Sequence, residues 1–361
     1  MEQKNKPRQE SENKSNHYSI EYPKITAPWV KLFKVLGFVA SVLIFFSACK
    51  EDEELINEEK PDRTVVLLKE GGQSPLWSPD GKKIAYLVDW KKLYVMNADG
   101  SNNLLLTPQI HESMKWSPSG MELAYHDYRD GPLALYKIGV DGKNEVKLTG
   151  TGVRLMGHFS WSPDGNKMVY GVSGLDKVDM YIMNKDGSGN HKVEVPISVF
   201  SPSFTPRGNR IMFNSLIDIQ RDLFLVGTDG SNLQRIESKD IAVDHAEMKG
   251  DESKIYFSGM SGFDWDIYEV DLNGSNLKNL TKGVGTNHKP HISPDGKYIA
   301  FLSSRDYNDG LWIMNADGSN ASKISKGTRP SLPGSWSPDS RKLVFDDEVD
   351  GVPGIYVLTL K

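Results

Sequence analysis

The chain has a single cysteine, Cys49, in 361 residues. That scarcity excludes an internal disulfide framework and every multi-cysteine zinc site. Basic charge is not in excess either: 43 Lys and Arg stand against 48 Asp and Glu. Nucleic acid, whose binders carry a basic face, is therefore not an expected partner. The longest apolar run, Val35 to Ala48, spans 14 residues. As a helix it would reach about 21 Å, short of the roughly 30 Å hydrocarbon core of a bilayer, and it reads as a signal h-region instead. Also missing are a G-x-S-x-G elbow, a G-x-x-x-x-G-K-[ST] loop and an HExxH pair, so no hydrolase, nucleotide-binding or zincin motif is available. By contrast, 33 glycines, 19 prolines and 10% aromatics describe neither a disordered chain nor a heptad-rich helical one.

The apolar run ends in Phe46, Ser47, Ala48 and Cys49, and this resembles the lipobox of bacterial lipoproteins. The resemblance implies that residues 1–48 are removed and that Cys49 is acylated. Phe46 and the long polar leader depart from the commonest pattern. The stretch that follows, Lys50 to Lys60, is charged and has too few apolar residues to pack, so residues 49–62 are expected to form an acidic tether. Its start, Lys50 to Glu54, is similar to the acidic export signal of surface lipoproteins in Bacteroidetes-type bacteria.

From residue 63 onward a block recurs seven times. Its anchors are Ser78 to Gly81, Ser117 to Gly120, Ser162 to Gly165, Thr205 to Gly208, the degenerate Lys249 to Glu252, Ser293 to Gly296 and Ser337 to Ser340, spaced 39 to 45 residues apart. That is the length of a four-stranded propeller blade. Each block carries a short strand ending in a bulky residue such as Trp77 or Trp161 and then a Pro-Asp-Gly turn. The turn is suited to reversal because proline presets φ and glycine accepts a positive one. An alternating strand, a third strand of LYVMN type and an Asp-Gly or Asn-Gly hairpin into a fourth strand complete the block. The last block lacks its fourth strand, while an orphan strand, Arg63 to Lys69, precedes the first anchor. The expected fold is all-β, a seven-bladed β-propeller over residues 63–361, closed by the N-terminal strand completing the last blade.

The WSPDG and IYVMNADGS elements make the chain resemble the TolB-type, WD40-like propeller family over nearly everything outside the leader and tether. Protein-interaction modules, peptidase-guarding domains and some lyases share that repeat, so the resemblance speaks to fold more than to activity. Since the propeller takes the residues from 63 to 361 and no G-x-S-x-G elbow occurs among them, peptidase activity is not expected of these residues. The aspartates of SPDG and of NADGSN, Asn97 to Asn102, read as turn chemistry, since the twelve-residue calcium loop with its terminal glutamate is missing.

The tight turns share one face of such a ring, and the longer loops share the other. Five of the eight histidines fall in the blade-to-blade connections of the loop face: His111, His158, His245, His288 and His291. Glu247 and Lys289 belong to the same belt at the channel mouth. Imidazoles converging on an axis suit a divalent metal; equally, polar mouth residues hydrogen-bond water and loop backbone. Resemblance to a seven-bladed oligogalacturonide lyase, which uses channel histidines for a metal, implies a Mn or Ca site here, with Lys289 as a base. His126 and His191, elsewhere in the repeat, fit packing or solvent roles. Trp90, Tyr128, Phe263, Trp265 and Tyr307 lie in second-to-third strand loops, where they can stack on sugars, anchor a protein or pack over a blade. Trp265 stands between Asp264 and Asp266, a sequence suited to sugar hydroxyls. The expectation is a monomeric, lipid-anchored outer-membrane propeller, facing the periplasm or the cell surface. It would bind an envelope protein or glycan, and the alternative is a metal-dependent polysaccharide lyase.

Overall fold

The computed structural model describes residues 63–360, apart from Glu112, Thr151, Asp218, Ile219, Glu237, Lys239, Asp240, Tyr307, Asn308, Thr328, Arg329 and Ser331. Cys49, the leader and the tether lie outside the described residues, as does Tyr307. What is described is all strand: seven antiparallel sheets of four strands each. Blade 1 runs outward through Gln73–Trp77, Lys83–Val88, Lys92–Asn97 and Leu104–Thr107. The inner strands of the later blades are Met114–Trp116, Leu155–Trp161, Phe200–Phe204, Ala242–Met248, Asn287–Ile292 and Ser335–Trp336. Blade 7 is completed by Arg63–Glu70, which pairs antiparallel with Val352–Leu360 from Arg63↔Leu360 to Glu70↔Gly354. The closure expected from the orphan strand is the one found.

Local chemistry accounts for the repeat. In blade 1 the Ser78 hydroxyl donates to Asp80 Oδ1 at 2.7 Å and accepts from the Lys83 amide at 2.9 Å, while the Gly81 amide closes the turn on Ser78 O. Ser162, Ser293 and Ser337 repeat the bond to their own aspartates. At the second tight hairpin, on the same face, Asp99 Oδ1 accepts from both the amide and the hydroxyl of Ser101, and Asp186, Asp229 and Asp317 do the same. These carboxylates are spent on turn backbone, as an Asx turn requires. Where glycine is absent from the first type of turn, Glu252 and Ser340 still take positive φ, 58° and 61°.

The strand after the turn carries one fully buried aromatic per blade: Tyr86, Tyr125, Tyr170, Phe213, Phe257, Phe301 and Phe345. Six of them stack on an aromatic of the next strand at 5.5 to 6.1 Å, such as Tyr86 on Tyr94 and Phe213 on Phe224. Each such pair adds about 0.5–1.5 kcal/mol beyond area burial. Blades interlock through the bulky residue before each turn. Trp116 packs among Leu87, Leu93 and Val95 of blade 1, and its indole N–H reaches Leu76 O at 3.0 Å. Every inner strand runs from the loop face toward the Ser-Pro-Asp-Gly face, so residues further before the anchor lie nearer the mouth.

Candidate functional site

Counting back from each anchor sorts the mouth into tiers. Five residues before it lie Asp244 in blade 5 and His288 in blade 6; four before, His158 in blade 3, His245 in blade 5 and Lys289 in blade 6; two before, Lys115 in blade 2, Glu247 in blade 5 and His291 in blade 6. Five inner strands are bulged just above the lowest tier, as the register shifts at Gln73/Leu76, Met156/Phe159, Phe200/Ser203, Asp244/Glu247 and His288/His291 show. At these bulges Ser74, Gly157, Ser201, His245 and Lys289 take positive φ, between 44° and 71°. A bulge turns the strand and re-aims its side chains. It thereby places His245 and Lys289 in a conformation that non-glycine residues rarely adopt.

Blades 5 and 6 form the site's densest part. A cleft of ≈ 300 Å³ is lined by Asp244, His245, Ser258, Trp265, Thr286 and His288. His245 Nδ1 lies 2.6 Å from Asp244 Oδ2, and Arg221 approaches the other oxygen at 3.4 Å. Burial is the largest single influence and works against ionised Asp244, but the hydrogen bonds and charge of His245 and the charge of Arg221 together outweigh it and hold the carboxyl below its usual range. Burial, then Lys289, make His288 harder to protonate. The backbone N–H of Lys289 donates to Ser258 Oγ at 2.7 Å, which ties the bulge to the second strand of blade 5.

One tier deeper, His291 Nδ1 and Glu247 Oε2 are 2.9 Å apart, and the Ile292 amide donates to the same oxygen at 3.1 Å. Burial opposes the imidazolium, yet the charge and hydrogen bond of Glu247 prevail and raise the His291 pKa. Opposite, burial lowers the Lys115 pKa, and Glu247 partly restores it. His158 is made harder to protonate by burial first and then by Lys115 and His245.

Of the residues expected from sequence, His245, His288 and Trp265 share the cleft, Glu247 and His291 pair beneath it, and His158 and Lys289 join through electrostatic coupling. His111 is held elsewhere, edge-on to Tyr128 at 4.4 Å. Trp90 is exposed at its own hairpin tip, its amide on Gln73 Oε1. The flanking aspartates of Trp265 do not act with it. Alternation along Asp264–Asp271 turns Asp266 to the opposite side from Trp265. There Asp266 is buried and accepts from Thr281 Oγ1 and Asn279 Nδ2, both at 2.8 Å. His126 is buried against Phe159, a packing role. Asp244, Ser258 and Thr286 are the lining residues that sequence reasoning missed, as it missed Lys115 one tier deeper. Register was the signal for Asp244 and Lys115, since they match His288 and His291; the others carry none.

A Mn or Ca ion at these residues was the expectation under the lyase alternative. Among the described residues no three His, Cys, Asp or Glu side chains gather closely enough to hold a metal ion. Asp244 already holds His245, Glu247 already holds His291, and Lys115 and Lys289 bring positive charge among the imidazoles. This arrangement does not fit a resident divalent cation, and no reaction step is routed through one.

Residues 89–285, more than half of the chain, match the TolB beta propeller domain. An uncharacterised protein of Agrobacterium fabrum is 27% identical over 173 residues, 44% of this chain and 59% of that protein; the chain thus spans about three-fifths of that relative's length. Among solved structures, an oligogalacturonate lyase from Vibrio parahaemolyticus superposes with a TM-score of 0.65 at 15% identity, covering 83% of this chain and 98% of that one. An oligogalacturonate lyase in complex with manganese gives 0.64 at 17%, covering 83% and 91%. At such identities the likeness is one of fold.

Proposed function

This chain belongs to the TolB beta propeller domain family, and on that premise we propose that it is a glycan-binding module of the bacterial envelope, anchored by lipid on Cys49. The observation that carries the reading is the composition of the cleft: one indole, Trp265, beside a carboxylate, two imidazoles and two hydroxyls from Asp244, His245, His288, Ser258 and Thr286. Sugars present apolar ring faces and dense hydroxyls. An aromatic platform with a few convergent polar groups is what such a ligand requires. Its volume suits one or two sugar residues, at the low end of small-molecule sites.

The anchor is supported by the lipobox-like Ser47-Ala48-Cys49 and by the acidic tether that follows. Multiple acylation would hold the module stably at the outer membrane, whereas one chain binds only marginally. Membrane fractionation of Cys49→Ser checks this part: release into the soluble fraction is expected, and unchanged membrane association would contradict it.

The central test is calorimetric titration with neutral and uronic-acid oligosaccharides, on the wild type and Trp265→Ala. Saturable binding that weakens by about tenfold or more in the variant is expected, since an aromatic anchor contributes on the order of 1.5 kcal/mol or more. Equal binding by both proteins overturns the glycan reading. Shortening of oligogalacturonate with an unsaturated product, dependent on added manganese, would favour the lyase reading instead.

A further inference from the structure

Blade 5 presents a side chain that its fold does not need. The strands Lys254–Ser261 and Asp264–Asp271 pair from Lys254↔Asp271 to Ser261↔Asp264, which leaves Gly262 and Phe263 as a two-residue turn at the loop face. Gly262 has φ of 81°, as the first position of a type II′ turn demands, and the second position takes almost any residue. The equivalent turn of blade 7 is Asp350–Gly351, between Val349 and Val352. Nothing in the turn calls for an aromatic, yet Phe263 is 100% exposed. Two residues further on, Trp265 is the one indole of the cleft. An extended chain separates such residues by about 6–7 Å, on the scale of one sugar ring. A single exposed apolar side chain is ordinary, but this one continues the cleft outward. Leu175 of blade 3 is as fully exposed, with no cleft residue beside it in sequence and no ring face to offer.

We infer that Phe263 is an outer aromatic subsite, continuous with the cleft, that takes the ring face of a further sugar residue. The ligand is then an oligosaccharide of three or more residues, its inner part in the cleft against Trp265 and its continuation running out over the Gly262–Phe263 turn. This deepens the glycan reading and rests on it, by specifying a chain rather than a mono- or disaccharide. A sugar stacked on an exposed ring keeps its hydroxyls in water while its apolar face is covered. The outer subsite therefore adds affinity with chain length, and choice among sugars stays with Asp244, His245 and His288 in the cleft.

The experiment is calorimetric titration of the full chain in detergent with two chain-length pairs: cellobiose and cellotetraose, and digalacturonate and tetragalacturonate. In at least one series the tetrasaccharide is expected to bind about five- to tenfold more tightly than the disaccharide. Phe263→Ala should abolish that gain and leave disaccharide affinity unchanged, whereas Phe263→Trp should keep it. Because the side chain is exposed, the alanine variant should melt with the wild type; a much lower melting temperature would assign Phe263 to the fold and overturn the subsite. Trp265→Ala should weaken both lengths alike. Equal affinity for the two lengths in the wild type, or a gain that survives Phe263→Ala, overturns the outer subsite while the glycan reading stands. No binding at either length in either series overturns both. Should Phe263→Ala instead convert a dimer into a monomer in sedimentation, with the chain-length gain intact, the ring is a contact between copies and the subsite fails.

Discussion

Glu247 and His291 hold the same place in adjacent blades, two residues before the turn, and Nδ1 of one lies 2.9 Å from Oε2 of the other. The pair joins the walls of the channel between blades 5 and 6. Because the His291 pKa is raised in the folded protein, first against burial and then by Glu247, its contribution has a definite sign. It is fully present below the unfolded histidine pKa of about 6.5 and is lost as pH rises through the higher folded value. Glu247→Gln should therefore destabilise by about 1 kcal/mol at pH 6, discounted because both side chains keep some solvent contact. The difference should shrink toward pH 9. Denaturant melts of both proteins at the two pH values check it, and a gap that widens with pH would contradict the pairing.

The bulges make a second, opposite forecast. His245 and Lys289 carry φ of 44° and 55° at the first residue of their bulges, where the bulge of blade 3, one residue further from its turn, has Gly157 at 71°. Non-glycine residues held there cost on the order of 1–3 kcal/mol. Lys289→Gly is expected to raise stability by up to about 1 kcal/mol, while Lys289→Ala should not. The comparison is a pair of urea melts, and a glycine variant less stable than the alanine variant would show the strain to be absent. His245→Gly should relieve the same strain yet weaken glycan binding, because His245 lines the cleft.

His126 predicts acid sensitivity. Burial, and then the nearby positive charges of His158, Lys115 and His111, bring its pKa down to about 3. The unfolded chain takes up a proton near pH 6.5 that the folded chain refuses, so the neutral ring stabilises the fold above that pH and the stabilisation drains away on acidification. At pH 4.5 the loss amounts to about 2–3 kcal/mol relative to pH 8. His126→Phe, beside Phe159, should be within about 1.5 kcal/mol of wild type at pH 8 and lose less on acidification. Parallel loss in both proteins would remove His126 as the cause.

The ring was legible because its determinants are local and repeated. Ser78, Asp80 and Gly81 build their turn from contacts within five residues, and the buried Tyr86 follows at the same offset as Tyr125 and Phe213. The site was only partly legible, since its members meet across the channel. Ser258 comes from a second strand and Thr286 from a connection, and nothing near either marks it. Asp266 illustrates the opposite error: adjacency in sequence to Trp265 suggested a shared role, whereas strand alternation sends the two side chains apart. Lys115 belongs to no histidine pattern, although its offset from Ser117 equals that of His291 from Ser293.

Closure of the ring gives the sharpest test of the fold. Arg63–Glu70 makes seven residue pairings with Val352–Leu360. Val65 packs on the blade 6–7 core and Leu68 on the blade 7–1 core, so this strand bridges both sides of the seam. The Arg63 guanidinium also bonds Ser322 Oγ in blade 6. Deleting residues 63–70 leaves blade 7 with three strands, bares the outer edge of Val352–Leu360 and uncovers the two small cores. Burial of the two apolar side chains alone is worth about 3–5 kcal/mol, which lowers the melting temperature by about 10 °C in a domain of this size. The exposed edge should in addition promote association of the truncated chain at high concentration. Differential scanning calorimetry with light scattering reads both effects. A truncated protein melting within a degree or two of the parent would mean that the ring is held shut by the inner strands and that the closing strand is dispensable.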